Sequence, residues 1–257
     1  MIGGLSRGAV LAALVAAAAA SVHAAPNSAK RLQAFARLPD WSGYWIVDSI
    51  HEDAGGVLDV PKVKFFGDIP YNPTWKAQYE KRKGELRTTE VKQCLIDFPT
   101  TMESPQPFML TVLPEQTLYT AGDGAFRQIF TDGRPHPPKE QLFPTVTGHS
   151  IGHWEGETLV VDTVGRMAGP VRFLGAAAFS EQAHFRERIR MTGKDRLEDE
   201  MTIEDPVALA HPWTVKLGYD RTTIIDRLDP YYCELDDRIG FKDGKMVIKP
   251  PAEPGKN

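Results

Sequence analysis

Cysteine is nearly absent. The 257-residue chain has two, Cys94 and Cys233, too few for the disulfide framework of a small stapled scaffold. Neither charge sign dominates. With 30 basic and 34 acidic residues the formal net charge is −4 and the pI near 6.0, which leaves no basic face for wrapping nucleic acid. At 42% apolar and 25% charged, the composition is not that of a disordered chain. After residue 20 no long apolar run remains that would read as a membrane-spanning helix. Several catalytic signatures are also missing: a G-x-S-x-G elbow, a G-x-G-x-x-G turn or P-loop between strand and helix, and H-E-x-x-H. Their absence removes the usual sequence marks of α/β-hydrolases, nucleotide binders and zincins.

Glycine (22) and proline (20) are plentiful, which points to many turns and short elements. At the start, Arg7 precedes an unbroken apolar stretch, Ala9 to Ala20, and Val22-His23-Ala24 is a small-residue site. This reads as a secretory signal peptide over 1–24. The apolar run is too short for an anchor, since a bilayer span takes about 20 residues. No cysteine follows the site, so no lipid anchor is expected. The mature part, 25–257, is expected to be a single β-rich domain, periplasmic or secreted, with no stable membrane insertion. In an oxidising compartment Cys94 and Cys233 are expected to pair. The long loop they close would stabilise the fold by about 4–5 kcal/mol in the chain-entropy account. Two buried free thiols are the alternative.

Pro26 to Leu38 reads as a short helix or arm. Trp41 to Val47 reads as a first strand, with Trp41, Gly43 and Trp45 on one face and Ser42 and Tyr44 on the other. Asn72-Pro73 opens the clearest helix, with Asn72 at N-cap, Pro73 at N1 and Gly84 just past the end. Trp75 and Tyr79 share its apolar face. From Pro107 onward the period changes to two. Strands are expected at 108–112, 117–121, 126–131, 149–154, 158–164, 182–191, 197–203 and 214–221, with a short one near 231–234. Tight turns such as Glu155-Gly156 and Gly193-Lys194-Asp195 make neighbours antiparallel. The fold class is therefore mainly β: a single-domain antiparallel barrel or strongly curled sheet with one or two short helices. Along 182–191, Phe185, Glu187 and Ile189 share one face, and His184, Arg186, Arg188 and Arg190 the other. The basic row is either a solvated exterior or, at its His184 end, bends inward at a barrel mouth to hold an anion.

Three stretches carry a resemblance: RQIFTDGRPHP at 127–137, GHSIGHWEGETLVVDT at 148–163, and TIEDP at 202–206 followed by Pro212-Trp213-Thr214. Together they resemble a large family of exported bacterial proteins, most without an assigned activity. The likeness runs from Trp41 to about Glu234 and implies a β-rich, barrel-like domain. Relatives in aromatic-degrading bacteria imply a lyase acting on lignin-derived aryl dimers. No site residue is carried over on that basis. Separately, Gly43-Tyr44-Trp45 looks like the G-x-W of lipocalin-type barrels, which adds a calycin-like expectation for the fold.

The hairpin at 149–164 holds the best candidate chemistry. With a two-residue turn at Glu155-Gly156, His149 lies opposite Asp162, Ile151 opposite Val160, and His153 opposite Thr158, all on one face. A cross-strand His–Asp pair is an acid–base unit in which the carboxylate fixes the tautomer and raises the basicity of the imidazole. With a three-residue turn the partner of His149 becomes Val161, and the pair dissolves. A structural hydrogen bond at the rim is the bland reading. The candidate catalytic set is His149, Asp162 and His184. Arg127, Tyr44, His153, His136 and Trp213 are candidate substrate contacts, with Arg127 or His184 stabilising a developing phenolate or enolate. His136, in the stiff Arg134-Pro135-His136-Pro137-Pro138 stretch, either faces a cavity mouth or marks a surface turn. No metal site is expected, because His149 and His153 are about 13 Å apart along a strand. Ser150 points away from His149, which argues against a Ser–His pair. The expectation is a cofactor-independent lyase or isomerase working on a small, largely aromatic molecule. The alternative is a periplasmic small-molecule-binding protein with the same pocket and no turnover.

Overall fold

The computed structural model describes residues 29–47, 51–52, 58–59, 68–82, 98–99, 107–122, 124–170, 177–223, 225–228, 239–242 and 245–248. The signal segment, Cys94, Cys233 and the strand expected near 231–234 lie outside the described residues. Helix α1 covers Ala29–Phe35 and α2 covers Pro73–Arg82. The strands are β1 (Tyr44–Val47), β2 (His51–Glu52), β3 (Leu58–Asp59), β4 (Phe108–Val112), β5 (Gln116–Ala121), β6 (Phe126–Phe130), β7 (His149–Glu155), β8 (Thr158–Val164), β9 (Gly169–Pro170), β10 (Ala178–Phe179), β11 (His184–Gly193), β12 (Arg196–Glu204), β13 (Trp213–Thr222), β14 (Ile239–Lys242) and β15 (Lys245–Ile248).

Nine of these strands close into a barrel in the order β1-β13-β12-β11-β8-β7-β6-β5-β4. The expected fold class is what the chain adopts. The alternation read from the sequence is the reason. Along β11, Phe185, Glu187 and Ile189 are buried while Arg186, Arg188 and Arg190 are exposed. Along β12, Leu197, Asp199, Met201 and Ile203 are buried. Closure lets one face of every strand leave water without exposing a sheet edge. Aromatic rings fill much of the interior: Phe108 stacks on Tyr119 at 4.7 Å and meets Tyr219 edge-on at 5.0 Å. Trp41 and Trp45 are both buried. The Trp45 indole donates to the Trp41 carbonyl at 3.0 Å, and the Arg221 guanidinium lies over its ring at 4.4 Å.

One pair departs from the antiparallel expectation. β6 and β7 run parallel, through Ile129↔Ser150 and Phe130↔Ile151. Two parallel neighbours cannot be joined by a tight turn. The chain from Thr131 to Gly148 must return to the end where β6 began, and it does so along the outer wall. Helix α2 starts as its sequence predicts, with Asn72 Oδ1 accepting from the Trp75 amide at 3.1 Å. Its Trp75 stacks on Tyr71 at 6.3 Å and its Tyr79 meets the same ring tilted, at 5.4 Å; Tyr71 bridges to Leu209 beside the barrel.

Candidate functional site: an imidazole cluster on the outer wall

The β7–β8 hairpin is the first point of correction. Its two-residue turn is Gly156-Glu157, with Glu155 opposite Thr158, so His149 faces Val164 and Asp162 faces Ile151. Gly156 takes φ +63°. The primed hairpin turns need a positive φ at their first central position, and glycine supplies it there. That places the turn one residue later than Glu155-Gly156. Moving a two-residue turn by one position changes every partner but preserves every face. His149, Ile151, His153, Thr158, Val160 and Asp162 still share one side, while His149 and Asp162 are no longer directly opposed.

A third residue joins them. The crossing segment carries His136 over the wall, where its Nδ1 lies 2.8 Å from His149 Nδ1 and its Nε2 lies 2.9 Å from Asp162 Oδ1. From the other side, His184 Nε2 lies 2.8 Å from the same oxygen, and its Nδ1 is 3.8 Å from Glu204. Local sequence fixes this placement. Gly148, at φ +68°, precedes His149, and a Cβ there would meet the Val164 carbonyl at 2.8 Å; only glycine allows the loop to enter β7 so close to β8. Asp132 accepts from the Arg134 amide at 3.1 Å and from its Nε at 2.9 Å. The Arg134 guanidinium covers Phe130 at 3.9 Å, and Phe130 stacks on His149 at 5.5 Å.

The electrostatics assign the protons. Burial pushes Asp162 toward the neutral form, but hydrogen bonds from His184 and His136 and their charges outweigh it, so its pKa lies below the ordinary carboxylate value. An ionised carboxylate only accepts, so His136 donates to it through Nε2. When His136 carries only that proton, its Nδ1 accepts and the donor is His149 Nδ1–H. The lone pair of His149 is left at Nε2, which has no hydrogen-bond partner among the described residues. Burial above all, with the charge of Arg134, holds the His149 pKa below the usual imidazole value. The result is a neutral base backed by a second imidazole and a carboxylate.

The remaining predicted residues are elsewhere. His184 stays on the outer face of β11 and does not bend into a barrel mouth; its neighbour Phe185 fills the interior. Arg127 is inside the barrel, on the opposite side of the wall from the imidazoles. Its Nε donates to Ser150 at 3.1 Å, its Nη1 to Glu187 at 2.8 Å and its Nη2 to Thr163 at 2.8 Å. It is thus separated from the developing charge it was expected to meet. Tyr44 lies on β1 and donates to the Asp226 carbonyl at 2.8 Å. His153 shares the outer face with His149 but is largely exposed and contacts Glu155 at 3.2 Å. Trp213 is buried at the start of β13. The contacts run as a chain from His149 through His136 and Asp162 to His184. Among the described residues, no group of three or more His, Cys, Asp or Glu is arranged to hold a metal ion. A groove of about 470 Å³, lined by Phe35, Leu38, Trp41, Met109, Leu110 and Val112, lies at the β1–β4 seam. That seam is across the barrel from the imidazoles.

The sequence reading missed the buried charges. Asp199 is fully buried between Leu197 and Met201 on the core face of β12. Glu187, on the core face of β11, accepts both ends of the Arg127 guanidinium. A charged residue interrupting an apolar face was the available signal in both strands.

The chain matches no protein-family model, no curated protein and no solved structure.

Proposed function

We propose that the protein is a cofactor-independent lyase or isomerase that works by proton transfer at the outer-wall cluster. We take its substrate to be a small aromatic molecule, with lignin-derived aryl dimers as the class to try first, and its place of action to be outside the cytoplasm. One observation carries this reading: His136 uses both ring nitrogens, 2.8 Å from His149 and 2.9 Å from Asp162, which leaves His149 Nε2 as a free base. In the step we propose, a C–H or O–H bond of the substrate breaks and its proton goes to His149 Nε2, while the bonding electrons stay on the substrate. The Nδ1 proton of His149 passes to His136 Nδ1. The His136 imidazolium so formed is paired with Asp162, which His184 holds in place. General acid–base catalysis of this kind contributes about 10²–10⁴-fold.

A second reading, a periplasmic carrier without turnover, is favoured by the seam groove. Its volume is in the range of small-molecule sites, and its one lining carboxylate, Asp40, accepts from the Ser42 amide at 2.9 Å. Untargeted mass spectrometry separates the two. The protein is incubated with a lignin extract, and the masses that disappear and appear are recorded. Consumption of one mass with growth of another supports the enzyme. An aromatic ligand bound and recovered unaltered after long incubation contradicts it and supports the carrier.

A further inference from the structure

Arg127, Glu187 and Asp199 are fully buried in the barrel interior. Arg127 on β6 reaches across Ser150 on β7 and Thr163 on β8 to Glu187 on β11, so one ion pair ties strands that are not neighbours. The charges of this pair cancel. Asp199, on β12, is the third group, and as a carboxylate neither of its oxygens has a hydrogen-bond donor. A bare carboxylate in a dry interior is not tolerated. A neutral carboxylic acid is, because it can give its proton to Glu187. The charged groups acting on Asp199 are Glu187 from β11, Arg127 from β6 and Glu200 beside it on its own strand. Glu200 is turned outward to Lys216 at 2.6 Å. The facing residue on β13 is Leu217. Phe98 completes the assembly. Its ring lies on the Arg127 guanidinium at 3.9 Å and meets Phe185 at 5.0 Å. Its amide donates to the Val146 carbonyl at 3.0 Å, and its carbonyl accepts from Arg166 at 2.6 Å.

We propose that Asp199, Glu187 and Arg127 form a pH-sensitive latch: loss of the Asp199 proton adds a second carboxylate charge that draws Arg127 from Glu187 and releases the Phe98 ring seated on it. Burial first, then the charge of Glu187, pushes the Asp199 pKa well above the ordinary carboxylate value, and the opposing pull of Arg127 does not restore it. The latch is therefore closed through the ordinary carboxylate range and opens at higher pH. This proposal is independent of the outer-wall chemistry.

Two measurements test it. Asp199→Asn keeps the shape of the neutral acid and cannot ionise. Hydrogen exchange at the Phe98 amide is compared between wild type and D199N at the same pH, which cancels the intrinsic pH dependence of exchange. Protection in the wild type is expected to match that in D199N at the lower end of a pH titration and to fall about tenfold below it at the upper end. Equal protection at both ends overturns the latch. Infrared spectroscopy of the wild type alone keeps the test independent of the variant's folding. A band from a protonated carboxyl group is expected above the ordinary carboxylate range and lost as the pH rises further. Absence of that band above the ordinary carboxylate range also overturns the proposal.

Discussion

His136 Nδ1 lies 2.8 Å from His149 Nδ1, although the two residues come from a crossing loop and a strand. Two imidazole nitrogens at that distance must divide the roles of donor and acceptor. With Asp162 accepting from His136 Nε2, the proposed mechanism has His136 Nδ1 accept and His149 Nδ1 donate, which makes His149 the proposed base. Replacing His136 with Ala is expected to lower kcat by about 10²-fold with little change in KM, because the loss is of proton transfer and not of substrate contact. Steady-state kinetics on the substrate found by mass spectrometry check this. An unchanged kcat would remove His136 from the mechanism.

The pH profile gives a second check. The base must be neutral to act, and the His149 pKa is lowered by burial first and also by the charge of Arg134. Activity is therefore expected to rise with pH through a midpoint below the ordinary imidazole value of 6.5. His136→Ala opens the site to water and so relieves the burial that lowers it. The midpoint of its residual activity should move upward toward the ordinary value. The measurement is kcat/KM against pH for both proteins.

The buried ion pair makes a prediction about stability. Glu187→Leu or Arg127→Met alone leaves a charged group unpaired inside the barrel, which costs about 3–5 kcal/mol. The double variant Arg127→Met/Glu187→Leu removes both charges and should recover a large part of that loss. Denaturant unfolding of the two single variants and the double variant measures the difference. Additive losses in the double variant would contradict a coupled pair.

Asp199 acts in the opposite sense to a stabilising carboxylate. Its folded pKa is raised above the unfolded value of 3.8, so stability is fully present below that value and is lost as pH rises toward the folded pKa. Asp199→Asn is therefore expected to melt above the wild type at neutral pH. The gap should close as the solution is acidified toward about pH 4. Thermal melts of both proteins across that range provide the comparison.

The barrel was legible because alternation is a local property. His184, Arg186, Arg188 and Arg190 against Phe185, Glu187 and Ile189 state which side of β11 is wet. The faces of β7 and β8 were legible for the same reason, and so His149 and Asp162 fell correctly on one side. Their pairing was not, because it depends on where Gly156 sits in the turn. His136 was visible as a stiffened loop histidine, but its partners follow from the parallel β6–β7 pair. The one hint was length: the segment 131–148 is too long for a hairpin loop, which typically takes 2–5 residues. Arg127 reads as a strand residue in sequence. Its reach across two strands to Glu187 exists only after the barrel closes.

Turnover by His149→Ala is the most direct test of the proposed chemistry. The wild type and the variant are given the same substrate, and product formation, ligand binding and melting temperature are measured together. The account predicts that the variant makes no product while binding and melting stay nearly unchanged. A variant that still turns over at the wild-type rate would show that the proton is moved elsewhere and that the outer-wall imidazoles are structural.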